Sequence, residues 1–490
     1  MVYRWVSVVA LLIAGALSGC AFDVSHRKLL ETGTPWSECP YEGGSCRKDA
    51  SVQHIGFRTK DGASGSYLLG FVEFDDQGWY HDRGQQLALF SAVREWRTQN
   101  SGARFLMVAF AHGWHHSAVP GDPDIGEFQK LLERLDLLEK RMAEKHGGEP
   151  RKVVGVYLGW RGEALKIPWL KKLSFWTRKN AGERVGERSA KQFLTELNEF
   201  RAYLNGWNWS DGLATRKHTQ LILVGHSFGG LVMYRALQST LMERAVRIEK
   251  DQTGGYRYDM AKSFGDFIVL VNPAFEGASY EPLLKVAQSR CFTKAQKPVM
   301  AIVTSKADLA TKVAFPIGRL YTLTQSAPQS GEREAVMHTV GHLDRYITHD
   351  AVFVQKTMPA PMGLTARSSI MAASVAAPAP VSQDGLSPTR MDTLDVSIDV
   401  DSPRVNDAVP GASTITPYDG AVLVSRGTVD PLFPYLVVSA DANLIPGHNN
   451  IWNDRFVNFM ISFVSKEVMG ERPTDEKTVC VPYGLPAHEK

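Results

Sequence analysis

Leu221-Ile222-Leu223-Val224-Gly225-His226-Ser227-Phe228-Gly229-Gly230-Leu231-Val232-Met233-Tyr234 is the stretch on which the reading of this chain turns. Its four leading aliphatic residues predict a strand covered on both faces. From Gly230 to Leu237 the pattern predicts a helix. Between them stands G-x-S-x-G. A turn that passes so abruptly from strand to helix leaves little room for side chains at its flanks, which explains Gly225 and Gly229. It lifts the Ser227 hydroxyl clear of the sheet, and the helix N-terminus behind it favours developing negative charge. Ser227 is the candidate nucleophile. The plainer alternative is a structural turn in a protein without catalysis.

Working outward, similar apolar runs recur at Arg104–Ala111, Val153–Leu158, Phe267–Val271, Val299–Thr304 and Tyr435–Ser439. The alternating stretch Ile55–Glu73 predicts an antiparallel pair. Helical spacing is seen over Gln85–Arg97, through Phe128, Leu131, Leu132, Leu135, Leu138 and Met142, through Phe193, Leu197, Phe200 and Leu204, and through Phe456, Phe459, Met460, Phe463 and Val464. Strands alternating with helices predict an α/β fold, with a mostly parallel central sheet and helices on both faces. Such sheets hold their sites beyond the carboxyl ends of the strands.

With these elements in place, the chain resembles the α/β-hydrolase superfamily of serine esterases and lipases, over about residues 55–350 and 418–466. The resemblance implies an oxyanion hole made by the amide of the residue after the serine, Phe228, and by a second amide after an early buried strand. Phe110-Ala111-His112-Gly113-Trp114 stands there, which points to the Trp114 N–H, with Gly113 next. It also implies the order serine, acid, histidine. Asp308, in Ser305-Lys306-Ala307-Asp308 after a buried strand, is the expected acid, and Glu276 is the alternative. His448, in Pro446-Gly447-His448-Asn449-Asn450 between the last strand and the last helix, is the expected base. His342 and His349 are the other candidates. The interval from Asp308 to His448 is long for the family, and a stretch without aromatic residues falls within it.

That stretch runs from Val354 to Pro417 and is dominated by Ala, Ser, Pro and Asp. It buries too little apolar area to pack, so 354–417 is expected to be a low-complexity, disordered insertion. The hydrolase-like core is then 54–353 and 418–466, with 467–490 as a tail. Trp160–Gly186, rich in bulky apolar and basic residues, is either a lid over the site or a helix packed on the body. The whole chain has 490 residues, 55 Lys+Arg against 52 Asp+Glu, and 44% hydrophobic residues. This is ordinary globular composition, with no single-sign field that would suggest nucleic acid as a partner.

Arg4 precedes an apolar run from Trp5 to Ala16, too short to span a bilayer and typical of an export signal. It ends in Leu17-Ser18-Gly19-Cys20, which resembles a bacterial lipobox. The resemblance implies a lipoprotein signal over 1–19, lipidation at Cys20 and a tether over 20–53. With Ala21 rather than Asp after the cysteine, it favours the outer membrane over the inner membrane of the cell envelope. The other four cysteines allow three pairings: Cys39 and Cys46 flank a turn-rich loop that could close as a disulfide, with Cys291–Cys480 then tying the last segment to the body, and unpaired buried thiols are the alternative. The expected activity is a membrane-anchored serine hydrolase cleaving carboxylic esters, with a small-molecule or lipid ester as substrate and no cofactor. Alternatives on the same residues are a thioesterase, an amidase or an acyltransferase. Others are an inactive envelope lipoprotein, or a metal-dependent hydrolase built on His112, His115 and His116.

Overall fold

The computed structural model describes residues 23–31, 33–162, 175–206, 218–246, 248–250, 256–258, 261–290, 292, 295–323, 332–354, 415–430 and 432–470. Its strands are β1 (Ser37–Cys39), β2 (Val52–Arg58), β3 (Ser64–Phe74), β4 (Phe105–Ala111), β5 (Lys152–Trp160), β6 (Gln220–His226), β7 (Ile248–Lys250), β8 (Tyr256–Tyr258), β9 (Phe267–Val271), β10 (Met300–Ser305), β11 (His349–Phe353), β12 (Ile415–Tyr418), β13 (Ala421–Ser425) and β14 (Tyr435–Ala440). Twelve of them form one sheet in the order β1-β2-β3-β5-β4-β6-β9-β10-β14-β11-β13-β12, and β7 pairs with β8 apart from it. From β3 to β11 every neighbour is parallel. Within this sheet antiparallel pairing is confined to β2–β3 and to β11–β13–β12; the separate β7–β8 pair is antiparallel as well.

The central strands are buried on both faces, as their unbroken apolar runs require. Alternate side chains feed two cores. Met107, Leu223, Leu270, Ile302 and Val437 face one. Val108, Ile222, Val269, Val303 and Val438 face the other. Helices cover both sides, so the chain is an α/β protein. They are α1 (Gly84–Gln99), α2 (Pro123–His146), α3 (Phe175–Glu187), α4 (Ser189–Asn205), α5 (Phe228–Val246), α6 (Gly277–Gln288), α7 (Phe315–Leu323), α8 (Arg333–Met337) and α9 (Asp454–Phe463). Local chemistry sets their ends. The Asp122 side chain accepts from Asp124 N–H at the start of α2, with Pro123 in its first turn, and Gly147 at φ 76° follows its last residue.

Three limits of the body differ from expectation. In the segment expected to be a tether, residues 23–31 and 33–53 are more than that. β1 pairs with β2, and Trp36, Ala50 and Val52 are buried. The buried Glu73 carboxylate also accepts from Ser25 Oγ and from the backbone N–H groups of His26 and Arg27, each at 2.8 Å. These contacts join positions far apart in sequence, which no local pattern signals. At the other end β12 begins at Ile415, inside the stretch read as an insertion, and Val468 and Met469 are core residues beyond 466. Residues 355–414 and 471–490 lie outside the described residues, as do the signal 1–19, Cys20, Cys291 and Cys480.

Cys39 and Cys46 form a disulfide. Of the two readings of 160–186, the described second half fits the helix packed on the body; 163–174 lie outside the described residues. α3 is fixed to the body, with Ala181 and Val185 buried, Arg178 paired with Asp76 and Lys179 with Glu276.

Candidate functional site

The site begins with a strained turn. Ser227 has φ 55°, a left-handed conformation rarely adopted by residues other than glycine, between β6 and α5. Its N–H donates to the Val271 carbonyl at 3.0 Å, and its own carbonyl accepts from Ala274 N–H at 3.1 Å. Both glycines of the motif are demanded sterically. A Cβ on Gly225 would lie 2.6 Å from the Gly229 carbonyl oxygen. One on Gly229 would lie 1.9 Å from the Ala111 carbonyl oxygen, at the end of β4.

Two distant residues converge on this serine. His448 Nε2 lies 2.8 Å from Ser227 Oγ, and His448 Nδ1 lies 2.8 Å from Asp308 Oδ2. The hydroxyl can therefore donate to Nε2 while Nδ1–H donates to the carboxylate. Asp308 sits just past the end of β10 and His448 follows β14. The two strands are adjacent and parallel, which brings both loops to one edge. The Asp308 carboxylate is fully buried. Burial alone would raise its pKa, but hydrogen bonds from His448 and Thr311, with the attraction of His448, hold it below the ordinary carboxylate value. Thr311 Oγ1 donates to Asp308 Oδ2 at 2.5 Å.

A second set of groups, not anticipated from sequence, holds the histidine loop. The His448 carbonyl oxygen accepts from His226 Nε2 and from Asn272 Nδ2, both at 2.9 Å. Asn272, at φ 45°, directly follows β9. Its Oδ1 accepts from Ser305 N–H at 2.9 Å, and Ser305 Oγ donates to the Ile445 carbonyl at 2.6 Å. His226 Nδ1 is buried without a partner among the described residues. Burial first, then the nearby His448, pushes the His226 pKa down to about 3, so the ring is neutral and carries its proton on Nε2. The signal available in sequence was positional. His226 stands inside the serine motif, and Asn272 directly follows the strand beside it.

The oxyanion candidates border the same serine. The Phe228 N–H is in the first turn of α5, where it has no carbonyl of its own helix to bind. The backbone after β4 passes close by: a Cβ on Gly113 would lie 3.0 Å from Ser227 Cβ. Trp114 follows, its ring 5.4 Å from that of Phe175, which lies 4.8 Å from the Phe228 ring. Two of the early histidines, His112 and His116, are occupied in the fold. His112 Nδ1–H donates to the Gly113 carbonyl at 2.9 Å, and its Nε2 accepts from Trp160 N–H at 3.2 Å. This fixes the loop rather than leaving a ligand lone pair. Burial holds His112 neutral. His116 pairs with Asp122 at 2.8 Å.

The other candidates stand elsewhere. His342 Nε2 meets Thr311 Oγ1 at 2.9 Å, so it reaches Asp308 only through that hydroxyl. His349 is buried in β11 against Thr348. Glu276 precedes α6 and pairs with Lys179 and Arg319, each at 3.0 Å.

No family model and no curated protein matches the chain. Among solved structures it is similar to an uncharacterized protein from Pseudomonas aeruginosa, at 11% identity and a TM-score of 0.20. That likeness covers 49% of this chain and 42% of the other.

Proposed function

We propose that this chain is a serine hydrolase of the α/β-hydrolase kind, acting on carboxylic esters through an acyl-enzyme. The observation that carries the reading is the run from Ser227 Oγ to His448 to Asp308, with both contacts at 2.8 Å across separations of 221 and 140 residues. Structural packing alone gives no reason for a strained serine to meet an imidazole that is in turn held by a buried carboxylate.

In this reading Ser227 Oγ attacks the acyl carbon as its proton passes to His448 Nε2. Asp308 keeps the proton of Nδ1 in place and balances the imidazolium. The amides of Phe228 and Trp114 receive the oxyanion. The proton on Nε2 leaves with the alcohol, and water deprotonated by His448 then releases the acid and restores Ser227. The partly exposed rings of Trp114 and Phe175, packed over Phe228, suit an apolar acyl group. Export and lipidation at Cys20 belong to the same proposal. The Cys39–Cys46 disulfide supports an oxidising compartment. No helix among the described residues is long and apolar enough to cross a membrane.

The test is labelling by a fluorophosphonate probe. Wild type is expected to label, and Ser227→Ala not at all. His448→Ala and Asp308→Asn should label at least about 10³-fold more slowly. Undiminished labelling of Ser227→Ala, or none of folded wild type, ends the proposal. A panel of esters, thioesters and amides then orders the acyl donors.

A further inference from the structure

The way the chain enters the body orients the site. Asp23 is the first described residue, and it is pinned beyond the end of β3. Its Oδ2 accepts from Asp76 N–H at 2.7 Å, and its Oδ1 lies 3.1 Å from His81 Nε2. Asp76 in turn binds Arg161, just past β5, and Arg178 of α3. Because β3, β5, β4 and β6 are parallel, this is the edge of the sheet that carries Ser227. Only Ala21 and Phe22 separate Cys20 from Asp23, a reach of at most about 10 Å. From β3 to β6 is about 14 Å.

The same edge presents an apolar stripe. Directly after Asp308, Leu309, Val313 and Ile317 are 67%, 47% and 62% exposed. Their spacing of four places them on one face of the helical segment formed by Ala310–Ala314 and α7. Thr311 and Phe315, on its other face, are buried against the site. Lys312 is exposed beside the stripe. Trp79 is 57% exposed in the turn next to Asp76, with the Arg188 guanidinium 5.2 Å from its ring. Trp79, past β3, and the stripe, past β10, lie about 24 Å apart at the same end of the sheet, and exposed aromatic, basic and apolar groups sharing one end match a lipid–water boundary.

We infer that this edge rests on a phospholipid bilayer. Acyl chains on Cys20 hold it there, the Leu309–Val313–Ile317 face inserts, and Ser227 opens toward the interface. The inference rests on the proposed hydrolase and its lipidation, and it deepens them. The substrate class becomes an ester presented by the membrane itself. The opposite edge, with the exposed loops around Ser101 and Glu149, faces away.

The test uses the full, processed chain in vesicles of phosphatidylethanolamine and phosphatidylglycerol, with benzoylphenylalanine in place of Val313, Ile317 or Glu149. On illumination, phospholipid adducts are expected from positions 313 and 317 and not from 149. Adducts from 149 alone or from all three positions overturn the inference, as does cross-linking of 313 to a second copy without lipid. Repeating the reaction in Ser227→Ala separates orientation from catalysis. The adduct pattern is expected unchanged there, so an absent hydrolase activity would leave the orientation readable. With active enzyme, Val313→Asp/Ile317→Asp should lower the ratio of vesicle-borne to soluble ester turnover about ten-fold, and an unchanged ratio counts against the inference.

Discussion

His226 Nε2 donates to the carbonyl oxygen of His448 at 2.9 Å, so the residue before the serine grips the backbone of the residue that meets the serine. Asn272 grips the same oxygen from the next strand. Two donors from two fixed strand ends leave the His448 loop little freedom to drift. Efficient proton transfer needs the imidazole held at hydrogen-bonding distance, and this clamp acts on the backbone that carries it.

Loss of the clamp should therefore lower kcat more than it raises KM. For His226→Ala and Asn272→Ala we expect kcat to fall by about 10- to 100-fold, from misplacement of His448 by less than about 1 Å. His226→Gln keeps an N–H donor and should recover part of the rate. Steady-state kinetics on a soluble ester checks this. A KM change with kcat intact would assign both residues to substrate binding instead.

Steric demand separates two glycines. Gly229→Ala places a methyl 1.9 Å from the Ala111 carbonyl oxygen, a backbone atom that cannot swing aside. Loss of at least about 2 kcal/mol of stability and of probe labelling is expected. Gly126→Ala in α2 meets nothing within 4 Å and should stabilise by up to about 1 kcal/mol. Thermal unfolding of both variants beside wild type is the measurement.

Acid should destabilise the fold through buried imidazoles. Burial lowers the pKa of His226 to about 3, and those of His342 and His349 to about 4, from 6.5. In each case the unfolded chain binds the proton more readily. Their contribution is thus fully present above pH 6.5 and is lost as pH falls from 6.5 toward 4. The unfolding temperature should drop through that window, and His349→Gln should flatten the drop. A temperature that is level from pH 7 to pH 4 would contradict these buried neutral rings.

Much of this was written locally. The apolar run before Gly225 and the glycines around Ser227 encode strand, turn and helix within a dozen residues, because backbone strain and two-sided burial leave their mark on neighbouring positions. The same holds for the alternation that sends Ile222 and Leu223 to opposite cores. The choice of His448 over His342 and His349 was not local. It rested on the resemblance, and its physical ground is that β10 and β14 lie side by side, which carries Asp308 and His448 to one edge.

The sequence by itself determined the class of fold, the turn that presents Ser227 and a short set of candidate partners, since spacing and residue type record what each segment must bury. Tertiary structure alone decided which imidazole and carboxylate meet the serine. It also supplied the His226–Asn272 grip, the entry of residues 23–39 into the sheet's edge and the side on which the apolar stripe lies. These depend on strand order and register, and no periodicity along the chain specifies which strands become neighbours.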